Sequence, residues 1–276
     1  MQEVSITTEG IQKNLKNFKP LDALCEYIWN GFDAQADTIH VNLHTNEFGL
    51  INMISVVDNG TGIAYEELSN KFKPFNDSKK ADNSKKINHS LPHGRQGIGR
   101  LTFFAFAQRA RWNTVYEQDG IRYEYYIDME KDSLNQYDDN GGRIPKATEK
   151  ESGTEVIFTQ LQQFSKEEIV ARIKIEFFWF LELNRSRGYK ILVDGEILSY
   201  EEFVVERIDF KPDAELVHEY EITVVQWNQS LGKEFSKFYF INSKNEEQYK
   251  EAVSLLRTGF ELNGTKVKPN NRIATV

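Results

Sequence analysis

Cysteine is nearly absent from this sequence: Cys25 is the only one in 276 residues. One thiol cannot close a bridge within the chain, so a disulfide framework is excluded. No apolar run approaches the roughly 20 residues needed to cross a bilayer as a helix. The opening MQEVSITTEG lacks the charged-then-apolar order of an export signal. An excess of positive charge is missing too. With a net charge of −8 and a pI near 5.3, no global basic field draws the chain to nucleic acid. A local basic patch stays open. These absences leave an intracellular, reduced protein with no membrane partner, expected in the cytoplasm. What is present fits that class: 39% hydrophobic and 28% charged residues suit a globular chain with a real core, in one large or two modest domains.

Periodicity divides the chain. Residues 4–7 read as a short strand and 10–17 as a short helix. Pro20 stands where a first helical turn tolerates proline, ahead of a helix over 21–34. Ile39, Val41 and Leu43 alternate with His40, Asn42 and His44, which predicts a half-buried strand turning at 46–49 into a second over 50–57. A short helix is expected at 64–72. Residues 73–93 are polar, basic and aperiodic, and long loops of that kind inside domains are commonly functional or disordered. The apolar run 101–107 suits a buried helix, with strands at 109–116, 121–129 and 153–161 and a polar loop over 132–151. Ser165 and Glu168 form a capping box before a helix reaching Phe180. A hairpin over 189–193 and 196–198 turns at Asp194-Gly195. Past Asp209 the pattern restarts with strands at 221–227 and 237–242 and a helix near 246–256. The end at 272–276 has no closing element, as expected of a piece of a longer protein.

Three stretches carry chemistry. On the helix over 21–34, Leu21, Leu24, Cys25, Ile28, Trp29 and Phe32 make one apolar face, and Asp22, Glu26, Asn30 and Asp33 line its edge. That stripe is either a solvated edge or the wall of a metal and phosphate site. Asp58-Asn59-Gly60-Thr61-Gly62-Ile63 is either a tight turn or a place where a carboxylate and bare backbone meet a flat ring. Gly94-Arg95-Gln96-Gly97-Ile98-Gly99 offers backbone N–H groups and a helix N-terminus to an anion, or is loop punctuation. It is not a Walker P-loop, because no Gly-Lys-Ser/Thr follows, and it lacks the dinucleotide GxGxxG order. Lys79, Lys80, Arg95 and Arg100 add positive charge nearby in sequence.

The order of these pieces is more specific than any one of them: E-x-x-x-N on a helix, D-x-G-x-G after a strand, a basic loop, G-x-x-G-x-G, then Gly153-Thr154 opening a strand. Over about residues 20–200 the sequence resembles the GHKL superfamily of gyrase, the heat-shock-type chaperone, histidine kinases and MutL, with the MORC proteins. Glu26–Asn30 with Asp33-Ala34 match its N-box, Asp58–Ile63 its first glycine box, Gly94–Gly99 its second, and residues 73–93 its ATP lid. The resemblance implies an α+β fold, a two-layer α/β sandwich with a mixed, mostly antiparallel sheet (the Bergerat fold), followed by the start of a second α/β domain. It implies ATP and Mg²⁺ as cofactors. Glu26 would be the general base and Asn30 would hold Mg²⁺. Asp58 would accept the adenine amino group with help from Thr154 and Gly62. Asp33, Ala34, Gly60, Ile63, Lys79, Gly94, Gln96, Gly97, Ile98 and Gly99 would complete the nucleotide site. Arg100 departs from the aromatic or aliphatic residue that relatives often carry.

A glutamate at position 26 sets the expectation toward hydrolysis, since histidine kinases usually carry an asparagine-type box there. The expected protein is therefore an ATPase, with an ATP-binding domain over 1–208 and a transducer-like region beginning at 209–276. Lid closure and ATP-dependent homodimerisation would gate a larger machine, whose client is undetermined. Lys237, Lys244 and Lys266 are candidates to reach the γ-phosphate, and Arg109 and Arg111 could add a local DNA contact. The alternatives are a nucleotide-binding switch with little hydrolysis, a histidine-type kinase, and a module that binds no nucleotide.

Overall fold

The structure is a computed structural model that describes residues 7–72, 99–210, 220–228, 235–242, 260–262 and 265–267, with side chains through residue 204. Its elements run α1 (Thr8–Leu15), α2 (Pro20–Asp33), β1 (Thr38–Thr45), β2 (Ile51–Asp58), α3 (Tyr65–Phe72), a 3-10 helix (Gly99–Ala105), β3 (Ala107–Gln118), β4 (Ile121–Glu130), β5 (Asp138–Asp139), β6 (Lys146–Ala147), β7 (Gly153–Leu161), α4 (Lys166–Leu183), β8 (Lys190–Val193), β9 (Glu196–Ile197), β10 (Val204–Phe210), β11 (Tyr220–Asn228), β12 (Phe235–Asn242), β13 (Phe260–Leu262) and β14 (Thr265–Val267). Of the strand expected over 4–7, Thr7 is instead the N-cap of α1, and residues 4–6, the basic loop and the helix near 246–256 lie outside the described residues, as do Lys244 and the side chains of Lys237 and Lys266.

The chain forms two compact units. One comprises residues 1–173 and 190–198, the other 174–189 and 199–276. The first holds a sheet ordered β5-β4-β3-β7-β2-β1-β8-β9, with β6 also on β4. Only β1 and β8 pair in parallel; every other ladder is antiparallel. Side chains alternate between faces of a strand, so cross-strand partners share a face. Leu43, Ile54, Phe158, Ala110 and Met129 make one inward row across β1, β2, β7, β3 and β4. Val41, Val56, Val156, Trp112 and Ile127 make the next. Tyr27 of α2 stacks edge-on against Phe158 at 4.6 Å between centroids, and Phe72 of α3 against Trp112 at 5.4 Å, so the helices form a second layer on this face. The third inward row, at the strand ends, breaks the apolar pattern: Ile39, Asp58, Thr154, Thr114 and Tyr125.

On the opposite face, Asp128 accepts from both Arg109, whose Nη2 is 2.9 Å away, and Arg111. Burial acts to raise the Asp128 carboxyl, but the two guanidiniums win and hold it below the usual range. The charge of the two arginines is thus partly neutralised. α4 opens on the predicted capping box: Glu168 N donates to Ser165 Oγ at 3.1 Å, and Ser165 N donates to Glu168 Oε2 at 2.9 Å. In the second unit, Phe178 packs with Trp179, Leu183, Tyr200 and Phe203. β10, β11 and β12 form an antiparallel sheet there, and β13 and β14 a hairpin.

Two expectations need correction. Residues 101–107 are not an α-helix: a 3-10 helix ends at Ala105 and β3 starts at Ala107. Of that run β3 takes only Ala107, which pairs with Leu161 of β7, and the buried helix before it, with Leu101, Thr102 and Phe103 inside, is of the 3-10 type. The polar stretch over 132–151 is also more ordered than a loop, since β5 and β6 each add two residues to the β4 edge.

The helix layer closes on the sheet at Gly31. A Cβ there would run into Ile39 Cδ1 and stand 3.0 Å from Asp58 Cβ. Glycine in a helix interior costs about 1 kcal/mol relative to alanine, so the close approach is what retains it. Gly31→Ala should therefore destabilise the domain, by about 1–2 kcal/mol once overpacking exceeds the gain in helix propensity. Urea unfolding followed by circular dichroism would read this, and a stabilised variant would refute it.

Candidate functional site

Helix α2 is enclosed to an unusual degree. Every residue from Ala23 to Phe32 except Glu26 and Asn30 is buried. A surface helix keeps a broad polar face; here two polar residues one turn apart are what remains half-exposed. Asp22 has a separate role, accepting from Arg172 Nε of α4 at 2.5 Å. Asp33, also half-exposed, lies at the C-terminal end of the helix.

The backbone at Gly99 faces Glu26 and Asn30. A Cβ on it would lie 3.1 Å from Glu26 Oε2 and 3.8–3.9 Å from the Asn30 amide atoms. Buried hydrogen bonds hold that backbone in place. The Tyr27 hydroxyl donates to Arg100 O at 2.8 Å and accepts from Phe103 N at 3.0 Å. Thr102 Oγ lies 2.7 Å from Gly99 O and 3.3 Å from Ala23 O. Burial drives the Tyr27 phenol far above its ordinary pKa, so it stays a neutral donor. Arg100 turns inward, its Nη2 donating to Phe72 O at 2.9 Å and its guanidinium lying over the Phe72 ring. The residue that departs from the resembling pattern thus fastens the 3-10 helix to the end of α3.

The second cluster is the polar row at the strand ends. Asp58 Oδ1 accepts from Gly60 N at 2.9 Å and Thr154 N at 3.2 Å. Among the described residues none donates to Oδ2. Burial pushes the Asp58 carboxyl up to about 6 against the lowering effect of those two N–H groups. Its loop is tied down on both sides. Thr61 N donates to Ala34 O at 2.9 Å, and Asn59 Oδ1 accepts from the amides of Asp37 and Thr38 at 3.1 Å. Ile63 N donates to Thr114 Oγ1 at 2.9 Å, and Tyr125 Oη donates to Ile63 O at 3.0 Å. Gly62 has φ +70°, and a side chain there would strike Val115 O. Only glycine meets both demands.

The two clusters join through Gly31, next to Asn30 and against Asp58. The structure thus brings Glu26, Asn30 and Gly99 to one place, and Ala34, Asp58, Gly60, Gly62, Ile63 and Thr154 to the other. Lys79, Gly94, Gln96, Gly97 and Ile98 lie outside the described residues. Because a 3-10 helix follows Gly99, no long α-helix supplies a dipole to an anion there. Thr114, Tyr27, Asn59 and Tyr125 are contributors that sequence reasoning passed over. Asn59 and Tyr27 stand inside two of the motifs, at positions those motifs leave open; Thr114 and Tyr125 owe their place to register and packing. Among the described residues no cluster of three metal-ligating His, Cys, Asp or Glu side chains occurs, and no helix is long and apolar enough to cross a membrane.

Residues 18–166 match the family described as histidine kinase-, DNA gyrase B-, and HSP90-like ATPase. Over 163 residues, 56% of the chain, the sequence is 28% identical to a Herpetosiphon aurantiacus protein provisionally named type II restriction enzyme HgiDII. The chain spans only 24% of that relative's length. Among solved structures, the ATPase and transducer domains of DNA topoisomerase II from Balamuthia mandrillaris align over 75% of this chain and 56% of theirs, at 17% identity and a TM-score of 0.50. The ATPase region of Saccharomyces cerevisiae topoisomerase II covers 75% of this chain and 58% of its own at 18% identity, with a TM-score of 0.49.

Asp58 makes a pH-dependent prediction. Its folded-state pKa, about 6, lies above the usual carboxylate value, so folding favours the protonated acid. That contribution is full in acid, below about pH 4, and is lost as pH rises through about 6. Asp58→Asn keeps the acceptor for Gly60 and Thr154 and cannot ionise. It should raise ligand-free stability at pH 7.5, by on the order of 2 kcal/mol, and leave it unchanged near pH 4. Urea titrations at both pH values measure the difference; equal effects at the two would refute the assignment.

Proposed function

The chain belongs to the family of histidine kinase-, DNA gyrase B- and HSP90-like ATPases, and on that premise we propose that it binds ATP and hydrolyses it with Mg²⁺. Its two-layer fold, with a mixed and mostly antiparallel sheet, is the Bergerat fold. The observation that carries the proposal is the joining, through Gly31, of the polar row that holds the half-buried Asp58 to a helix edge bearing Glu26 and Asn30.

Adenine would sit at the strand ends. Asp58 is suited to accept from its amino group, because Oδ1 is occupied by backbone while Oδ2 receives no bond from the described residues. Gly60, Gly62 and Ile63 would form the wall under the base, with Asp33 and Ala34 at its edge. The phosphates would lie toward Gly99, where the missing side chain leaves room beside Glu26 and Asn30. Asn30 would hold Mg²⁺, which when bound neutralises phosphate charge. One amide fits a hard cation that keeps several waters and is held largely by the phosphates themselves. Glu26, one helical turn away, would orient a water and take its proton. The enclosed α2 restricts the motion of both side chains, and such positioning supplies much of the catalysis in phosphoryl transfer. Lys79 and the backbone of Gly94, Gln96, Gly97 and Ile98 would cover the phosphates as a lid.

The wider reading is a domain over 1–208 that dimerises when ATP closes the lid, with 209–276 beginning a transducer-like region, acting in the cytoplasm. ATP shifts such an equilibrium only by binding the closed state more tightly. Calorimetric titration with Mg-ATP, beside a phosphate-release assay, tests the core of this. Wild type should bind and turn over. Glu26→Ala should bind with an unchanged Kd and lose about 10²-fold or more in turnover. Wild-type protein that is folded yet binds no ATP would end the proposal, and a Glu26→Ala variant with wild-type turnover would remove Glu26 as the base. Label from γ-labelled ATP should leave as free phosphate, whereas stable protein-bound label would favour the kinase alternative.

A further inference from the structure

We propose that Tyr27 is a positioning residue whose hydroxyl fixes the backbone at Gly99 against the Glu26 carboxylate, and so governs turnover while leaving nucleotide affinity almost untouched. The inference rests on the nucleotide reading above. The polarity of the tie is forced, because a carbonyl can only accept and a backbone N–H can only donate. The Tyr27 phenol therefore gives its one proton to Arg100 O at 2.8 Å and receives the N–H of Phe103 at 3.0 Å. Burial keeps the phenol from ionising, so neither bond is lost to titration. The oxygen is also a fixed point. Its ring stands edge-on against Phe158 at 4.6 Å between centroids and against Phe106 at 6.3 Å, with Trp112 tilted at 6.3 Å. Packing holds the ring, and the oxygen carries the two bonds.

Other ties hold the same segment elsewhere. Gln162 donates from its backbone N to Phe106 O and from Nε2 to Ala105 O, both at 2.8 Å, which anchors the far end of the 3-10 helix beyond β7. The Arg100 side chain reaches α3. Thr102 has one proton for two carbonyls. The nearer is Gly99 O in its own segment, at 2.7 Å, against 3.3 Å to Ala23 O of α2. The firm link from the Gly99 end to α2 is thus the Tyr27 oxygen. Deleting it would leave the segment anchored and let that one end drift. Drift matters there, since a Cβ on Gly99 would lie 3.1 Å from Glu26 Oε2. Movement toward the helix crowds the carboxylate, and movement away widens the gap in which the reacting phosphate would sit. A misplacement of about 1 Å can cost on the order of 10²-fold in rate. Asp58, by contrast, takes its bonds from Gly60 and Thr154 and none from this segment. Affinity on that side is independent of Tyr27.

The test sets Tyr27→Phe beside wild type and Glu26→Ala. Calorimetry gives the Kd for ADP and the number of binding sites, steady-state phosphate release gives kcat and KM, and single-turnover release of label from γ-labelled ATP reads the slow variants. Tyr27→Phe keeps the ring and removes the oxygen. It should hold its KM and its Kd for ADP within about twofold of wild type. Its kcat per binding site should fall by about tenfold or more. Counting sites removes any unfolded fraction, so a merely structural hydroxyl would leave kcat per site where it was. In the Glu26→Ala background the same change should cost no further rate, because the carboxylate that it positions is gone. The inference is overturned if Tyr27→Phe does not fold, if its kcat per site matches wild type, or if KM and the Kd for ADP rise as far as kcat falls. It is overturned equally if the rate losses of Tyr27→Phe and Glu26→Ala multiply, or if wild type binds ATP without turning it over. Wild type that binds neither nucleotide would mean instead that the nucleotide reading itself has failed.

Discussion

The register of three antiparallel strands is the constraint on which the site depends. Asp58, Thr154 and Thr114 come from β2, β7 and β3, nearly one hundred positions apart at the extreme. They share a face and a level because each ladder is in one particular register. A slip of one residue in either pairing would turn its member to the far side of the sheet. The two inward rows beneath are apolar and, apart from half-buried Leu43 at the β1 end, buried, so any slip would also expose valine, phenylalanine and tryptophan. The same packing that stabilises the core therefore aligns the polar row. An ionisable group in that row is unfavourable for the ligand-free fold, and burial shifts Asp58 accordingly. Strain of this kind is common where a fold also has to bind something.

The helix layer answers the sheet at one point. Gly31 lets α2 settle against Asp58, and the turn of helix before it then places Asn30 and Glu26 at fixed distance from the same strand end. Tyr27, between them in sequence but facing inward, carries the backbone after Gly99 to the other side of the pair. One helix thus sets the spacing between Asp58 and the Glu26–Asn30 pair. The spacing follows from helix geometry, which varies little.

Much of this was legible in the sequence where the signal is local. The period of β1 and β2, the bounds of β7, proline at the start of α2 and the Ser165–Glu168 capping box all follow from neighbours a few residues apart. The stripe on α2 was legible as a pattern but not as a site, since a solvated edge has the same pattern. What the structure adds is that Tyr27 is buried as well, so that between Ala23 and Phe32 only Glu26 and Asn30 stay half-exposed. Thr114 gave no signal, because a threonine in a strand of alternating residues is ordinary until its cross-strand partner is known. Residues 101–107 misled for the converse reason. Their run of apolar side chains fits a buried helix or the entry to a buried strand, and pairing between Ala107 and Leu161 determines the outcome. Arg100, charged and next to a glycine motif, read as nearby positive charge and as a departure from the resembling pattern; it is a part-buried tie to the carbonyl of Phe72.

The Tyr27 hydroxyl has one more consequence, in the order in which the molecule opens. It bonds to two backbone groups inside the 3-10 helix, Arg100 O and Phe103 N, and Thr102 reaches back to the carbonyl of Ala23. Residues 99–105 cannot lift away without breaking bonds into α2, and α2 cannot fray at its middle without loosening them. In amide hydrogen exchange the two segments would behave as a single cooperative unit despite the seventy-odd positions between them.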